Sequence, residues 1–369
     1  MPNPVLDLIM PSVSPVTVSL EPVISALHSL WLLMDVENKT GLGDWVTRTA
    51  VALTPEERER HRLVLVGFFY AILPEQDWPS FPAYLDYLAA CDPIALRDKL
   101  LMSYVHYAFP DGPDSKEQQA PPVDWAAVLE SADTYVSFLV ELLGAEHIDR
   151  DIEAQAYSYI VDPPAMQNLI VTHLRKMWQE FLAPDWGRIS PMLRDAVAAF
   201  RQVDFSDMSK LEAAQLITGQ SVQGEPWYQD LETAERVIFV PTTHVGPYLG
   251  KFCDGTTTAW VFFGPRIPEG IQFHAPDLSR AEIVVRLNAL ADDSRLRILK
   301  LISEKGELRS QDIMQSLDLS QSAASRHLNQ LSATGYLFER RYSGAKCYKL
   351  NPQRIKDILQ AVSIFLLGS

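Results

Sequence analysis

Apolar residues recur every three or four positions through most of this chain, the period of helices with one buried face. Val23, Ile24, Leu27, Leu30, Trp31 and Met34 form such a stripe within Glu21 to Met34. Thr54-Pro-Glu-Glu57 is a capping box with Pro at the first helical position, and it predicts a helix to about Leu73. Asp92-Pro93 opens another to about Ala108, and the period predicts more at Trp125 to Leu143, Asp151 to Val161, Ala165 to Phe181, Pro191 to Val203 and Lys210 to Thr218. At Arg236 the texture turns to β. Val237-Ile-Phe-Val-Pro, His244-Val-Gly-Pro-Tyr-Leu-Gly-Lys-Phe and Thr256-Thr-Thr-Ala-Trp-Val-Phe-Phe read as three strands of a short antiparallel sheet over about 236–264, with Asp254-Gly255 as a hairpin turn. Pro265 to Pro276 reads as a linker.

Beyond it the elements become short and closely punctuated. Ser279-Arg-Ala-Glu282 is a capping-box pattern before a helix carrying Ile283, Val284, Leu287 and Leu290. Asp293 or Ser294 caps a helix through Arg295-Leu-Arg-Ile-Leu-Lys-Leu-Ile that Gly306 ends. Ser310 caps a short helix with Ile313, Met314 and Leu317, Asp318-Leu319 turns the chain, and Ser320 caps the next helix, Gln321 to Ala333. Tyr336-Leu-Phe and Lys346-Cys-Tyr-Lys-Leu then form a hairpin around Ser343-Gly344. Helix, tight turn, helix and basic hairpin in this order make a winged helix-turn-helix. The fold expected is therefore mainly α with small β elements: a large helical domain over residues 1–275 ending in the antiparallel sheet, then a winged helix over 276–369.

In Gln321 to Ala333, Ala324, Leu328 and Leu331 share the face that seats the helix on its own domain. The other face, with Ser320 at its start, offers Gln321, Ser322, Ser325, Arg326 and Asn329, side chains that suit base edges or phosphates. Arg340, Arg341, Lys346 and Lys349 flank the hairpin tip, where they can meet phosphates or a minor groove.

Leu290-Ala-Asp-Asp-Ser-Arg-Leu-Arg-Ile-Leu, Leu319-Ser-Gln-Ser-Ala-Ala-Ser-Arg-His-Leu-Asn-Gln-Leu and Gly335-Tyr-Leu-Phe-Glu-Arg-Arg together resemble the ArsR/SmtB-type winged-helix transcriptional regulators. The resemblance covers only about Ala281 to the end. It implies a DNA-reading helix with Gln321, Ser322, Ser325, Arg326 and His327, and a wing with Arg340, Arg341 and Lys346. His327, one position before a core Leu, is open to packing, phosphate contact or both. The family's metal sensors use a Cys pair on the first helix of the motif, or His and carboxylates on the terminal helix. Here Arg309 and Gln311 stand where thiolates would be needed, and the terminal helix has no His, so no metal and no cofactor are expected. Cys91, Cys253 and Cys347 are widely spaced and read as reduced thiols.

Asn351-Pro352 opens a last helix with Ile355, Ile358, Leu359, Val362, Phe365 and Leu366. In the family this helix and the one after Ser279 form a dimer interface, which implies a homodimer on an inverted-repeat operator in double-stranded DNA. The alternative is that both pack on the rest of the chain.

Charge divides at the same place. From Ile283 onward there are 13 Lys and Arg against 8 Asp and Glu, leaving 19 against 39 before it. DNA repels so acidic a region and holds it off the duplex. The longest apolar run, Leu63 to Leu73, is too short to span a bilayer, and the N-terminus lacks the basic start of a signal peptide, so the expected location is the cytoplasm, away from membranes.

Nothing in the N-terminal region carries the spacing of a catalytic motif: the histidines are dispersed, no Gly loop would cradle phosphate, and no Ser lies in a nucleophile elbow. His244-Val-Gly-Pro-Tyr248 is the one local cluster with chemical potential, and His244 and Tyr248 serve either as contacts to a small-molecule effector or as a rigid corner between strands. The function expected is a homodimeric repressor reading DNA and answering a non-metal signal through its N-terminal domain. The alternative is an interaction or dimerisation scaffold with a repurposed winged helix.

Overall fold

In a computed structural model the structure describes residues 15–108, 122–220, 228–253, 257–266, 280–342 and 345–367. Most of the helices form where the period places them. Pro22–Leu32 and Pro93–Ala108 begin at Pro, and Pro55–Arg62 begins at the Thr54 capping box, whose two reciprocal bonds with Glu57 are both made. Lys210–Thr218 starts at a second capping box, Ser209 with Glu212.

The differences have local causes. The long helix expected to about Leu73 leaves α geometry at Leu63–Gly67, a π turn, and Ala165 to Phe181 does the same at Trp178–Leu182. Trp125 to Leu143 is two helices, because Ser131 accepts the Thr134 N–H and starts Ala132–Leu143 afresh. Pro191 starts nothing: Ala183–Phe200 runs through it, since the buried Ile189, Leu193, Ala196 and Val197 outweigh the one backbone bond Pro removes. Asp44–Ala52 and Phe81–Ala90 form helices that the period does not mark.

The sheet departs most from expectation. It has four strands in the order β1-β2-β4-β3: β1 (Val16–Val18), β2 (Arg236–Pro241), β3 (Gly250–Cys253) and β4 (Thr258–Phe263). β1 and β4 both run parallel to β2, and only β3 with β4 is antiparallel, so the antiparallel sheet expected over 236–264 is corrected to a mixed one. The cause is burial on both faces. Ile238, Val240, Trp260 and Phe262 enter one core with the large helical layer, whereas Val237, Phe239, Ala259, Val261 and Phe263 enter another with Val197, Phe200, Ala213, Ile217 and Leu231. An unbroken apolar run is the mark of a strand covered on both sides, typical of parallel pairing. The strand expected from His244 shrinks to Gly250–Cys253, and the Asp254-Gly255 turn lies outside the described residues.

A third core is built from Ile283 to Ala361, centred on Ile298, Ile313, Leu328, Leu331, Tyr336 and Ile358. It holds the helices Arg280–Leu290, Asp293–Lys305, Ser310–Leu317, Gln321–Ala333 and Pro352–Leu367. Its sheet has three strands, β5 (Leu308–Arg309), β6 (Leu337–Tyr342) and β7 (Ala345–Leu350), in the order β5-β7-β6; β5 adds to the hairpin legible in the sequence. Among the described residues no helix is long and apolar enough to cross a membrane.

Candidate nucleic-acid interface

The two helices of the motif are joined by Asp318 and Leu319. Asp318 ends Ser310–Leu317 in the left-handed region at φ 51°, the one non-Gly residue among those described with positive φ. Asp tolerates that conformation because its short polar side chain can bond locally. Ser320 then accepts the Ala323 N–H at 3.2 Å and starts Gln321–Ala333. Elsewhere the caps shift by one residue from expectation. Asp292, not Asp293 or Ser294, accepts the Arg295 N–H at 2.9 Å, and Ser310 lies inside its helix, with Asp312 reaching back to the Arg309 N–H at 3.1 Å.

Ala324, Leu328 and Leu331 of Gln321–Ala333 are fully buried, so the opposite face is fixed in orientation. Ser320, Gln321, Ser322, Ser325 and Asn329 are exposed on it, and Arg326 is half-buried beside them. Ser320 and Ser322 hydrogen-bond each other at 3.2 Å, whereas Gln321, Ser325, Arg326 and Asn329 make no side-chain hydrogen bond or ion pair with described residues. Donors and acceptors left open on a rigid helix are what base edges require.

His327 points elsewhere. Its Nδ1 stands 3.8 Å from Asp292 Oδ1, too long for a hydrogen bond, and burial pulls its pKa down against the pull of that carboxylate. It lies toward Asp292, the cap of Asp293–Lys305, apart from the six residues of the polar face. In the wing, backbone register sets Arg341 opposite Lys346 and Arg340 opposite Cys347. Lys346 is already paired with Glu339 at 2.6 Å, which reduces the charge it offers a phosphate. Ser343 and Gly344 lie outside the described residues.

One side chain of Gln321–Ala333 faces the N-terminal region. Gln330, 1 % exposed, uses its Oε1 to accept from Arg295 Nη1 at 2.9 Å and from the Thr40 hydroxyl. Arg295 also donates to the carbonyls of Ala289 (2.6 Å) and Asn288 (2.9 Å), closing the end of Arg280–Leu290. Gly41 lies flat against the amide of Gln330 at φ +85°; a Cβ there would sit 2.2 Å from Gln330 Nε2. The sequence did not single out Gln330, Arg295, Thr40 or Gly41. The one signal it held was Gln330, Ala333 and Thr334 at helical spacing, a second stripe apart from the core face.

His244 and Tyr248 stand behind this contact. The Tyr248 hydroxyl donates to the Thr40 carbonyl at 2.7 Å, and the Gly43 N–H donates to the His244 carbonyl at 3.0 Å. The His244 ring stacks on Trp45 (centroids 4.6 Å apart) and bonds Ser29 Oγ at 2.7 Å and Asp185 Oδ2 at 2.9 Å. Burial pushes the Asp185 carboxyl up, but hydrogen bonds from His244 and Arg188 outweigh it and hold the group below the usual aspartate range. With Ser29 1 % and His244 2 % exposed, this Ser, His and Asp relay is enclosed in the core and works as a brace.

The fold and the exposed polar helix define a winged helix-turn-helix protein. The model of the family described as bacterial regulatory protein, arsR family, matches residues 292–337. The chain is 33% identical over 87 residues to an arsenical resistance operon repressor of Staphylococcus aureus, covering 24% of this chain and 83% of that protein. It is 44% identical over 64 residues to an arsenic resistance transcriptional regulator of Pseudomonas putida (17% of this chain, 50% of that one) and 44% identical over 63 residues to an arsenical resistance operon repressor of Escherichia coli (17% and 54%). The chain belongs to the arsR family of bacterial regulatory proteins. It spans about half the length of the Pseudomonas and Escherichia relatives. A crystal structure of a possible transcriptional regulatory protein (fragment 1-100) from Mycobacterium bovis overlaps 24% of this chain and 94% of its own, at 26% identity and TM-score 0.20.

Proposed function

We propose that the protein is a homodimeric, sequence-specific DNA-binding repressor of the cytoplasm, in which residues 276–369 read an inverted-repeat operator and residues 1–275 sense a non-metal signal. The observation that carries the DNA reading is the open polar face of Gln321, Ser322, Ser325, Arg326 and Asn329 on a helix whose other face is fully buried. Arg340, Arg341 and Lys346 of the wing supply phosphate contacts beside it. Val284, Leu287, Leu359, Phe365, Leu366 and Leu367, 38 to 75 % exposed on two helices of one core, support the dimer. The sensing role is supported by Gln330, through which the acidic N-terminal region grips the reading helix. A non-metal signal is supported by Arg309 and Gln311 at the positions where the family's thiolates would lie, and His244 and Tyr248 serve the transmission of the signal by bracing the loop that carries Thr40.

The test is binding of the purified chain to duplex from the region upstream of its own gene, against random duplex, at physiological salt. The proposal predicts saturable binding at least about a thousandfold tighter to the operator than to random DNA. Equal affinity for both would overturn it.

A further inference from the structure

A cavity of about 270 Å³ opens where the first helix, Pro22–Leu32, begins, between the N-terminal ends of β2 and β4 and the helical layer. Its walls include the rings of Tyr70, Trp78 and Trp260 and the carboxylates of Glu21, Glu75 and Asp77. The charges are unequally satisfied. Lys99 Nζ, 3.5 Å from Glu75, also donates to the Leu73 carbonyl, so that pair is closed. Glu21 and Asp77 have no cation at ion-pair distance among the described residues, although Glu21 is half-buried and accepts only the Ser19 hydroxyl. Burial first, then the nearby Asp77, pushes the Glu21 carboxyl up, against the Ser19 hydrogen bond and Arg236, which also lines the cavity.

We propose that this cavity is the effector site and that it binds a small organic cation, an amine or quaternary ammonium with an apolar body. Two unpaired carboxylates beside aromatic faces attract a cation both as counter-ions and through the ring quadrupoles. With Lys99 taken up by Glu75, Glu21 and Asp77 outnumber Arg236, so the lining is net negative and disfavours an anion. A neutral apolar ligand would strip water from Glu21 without replacing it. The volume is close to the lower end of ligand sites, roughly 300 Å³, and fits a single-ring amine.

The site also has a mechanical connection to the reading helix. Pro22, Val23 and Ile24 line the cavity, Ser29 on the same helix bonds His244, and the loop after this helix carries Thr40 and Gly41 to Gln330. An occupant at the head of Pro22–Leu32 therefore bears on the contact at Gln330.

This rests on the reading of the N-terminal region as a sensor, and its test is independent of DNA. Benzylamine, benzyl alcohol and benzoate, each at about 10 mM, are added to the full chain and the thermal midpoint is followed by tryptophan emission. Benzylamine is expected to raise the midpoint by about 2 °C or more, with the alcohol and the acid leaving it in place. Asp77→Asn, at an exposed position, should weaken the benzylamine effect about tenfold in concentration, and Glu21→Gln with Asp77→Asn should abolish it while the circular dichroism is unchanged. No shift with benzylamine, equal shifts with all three compounds, or a shift undiminished in the double variant would overturn the site. A chain that binds operator but shows no amine effect loses this site and keeps the DNA reading; the reverse result keeps the site and loses the DNA reading.

Discussion

The Thr40 hydroxyl hydrogen-bonds the side-chain carbonyl of Gln330, 290 residues further along the chain, and Gln330 sits on the helix that carries the open polar face. Thr40→Val removes one neutral bond across this contact and should cost about 0.5–1.5 kcal/mol. Gln330→Ala removes that bond and also strands Arg295 Nη1, a buried charged donor, at about 1–3 kcal/mol more. Urea unfolding should therefore rank wild type above Thr40→Val above Gln330→Ala. If the contact transmits a signal, Thr40→Val also changes operator affinity by about twofold or more with no change in salt dependence, because Thr40 neutralises no phosphate. Equal stability of the two variants would show that Arg295 gains nothing from Gln330.

Arg326 and the wing should fail differently. Arg326→Ala with Ser325→Ala removes base-edge groups and is expected to cost about 1–3 kcal/mol of discrimination with the salt slope nearly intact. Arg341→Ala should weaken all sequences alike and reduce the slope by about 1. Glu339→Gln should strengthen binding to every duplex, since it releases Lys346 from its 2.6 Å ion pair. Fluorescence anisotropy from about 50 to 200 mM salt separates the three. A slope change in the Arg326 and Ser325 variant would reassign that pair to phosphates.

The helix Gln321–Ala333 is legible in the sequence because its core face and polar face alternate at one period, and Ser320, Ala324, Leu328 and Leu331 fall where that period puts them. It could not show that Gln330 is buried, since a Gln between Asn329 and Leu331 looks like solvated surface until a distant loop covers it. The mixed sheet was hidden for a related reason. Val237 to Val240 is apolar on both faces, so the strand was visible, but its partner Val16–Val18 comes from the other end of the chain. His244 and Tyr248 are chemically capable groups in the sequence; that their tips are already bonded to Ser29, Asp185 and Thr40 depends on contacts no local pattern encodes.

The apolar end of Pro352–Leu367 gives a test of assembly. Ile358 and Ala361 are buried in the third core, whereas Phe365, Leu366 and Leu367 are 52, 70 and 75 % exposed. Leu366→Glu should therefore leave the fold and its melting intact and convert the proposed dimer to a monomer by light scattering, because the charge lies outside the core, on the face proposed to pair. Operator affinity should fall with it, two half-sites being needed. A variant that stays dimeric would place the interface elsewhere.

Stability should depend on pH through the buried histidines and Glu153 of the helical layer. His61 Nε2 faces the Leu30 carbonyl at 2.9 Å, which can only accept, so that nitrogen carries the proton and His61 Nδ1 accepts from His173 Nε2 at 2.9 Å. Both rings are neutral, and burial pulls their pKa values down to about 4 and about 3. The unfolded chain protonates these histidines near 6.5 and the folded chain does not, so they cost stability as pH falls from there toward about 4. Glu153 acts in the opposite sense. Burial pushes its carboxyl up to about 7 despite donation from the Tyr104 and Tyr135 hydroxyls, so its favourable contribution is full below the unfolded value of 4.5 and is lost as pH rises through about 7. His28, buried and held well below its ordinary value, acts in the same sense as His61 and His173, so three histidines against one carboxyl leave stability rising with pH between 4.5 and 6.5, after which Glu153 turns it into a fall toward 7. Glu153→Gln keeps the shape, and the tyrosine hydroxyls can turn to accept its amide. Relative to wild type this variant should gain stability steadily between about pH 4.5 and 7 and hold that gain above it, with the fall from 6.5 to 7 removed, as read from urea midpoints across that range. A constant difference between the two proteins at every pH would mean that Glu153 titrates at its ordinary value inside the fold.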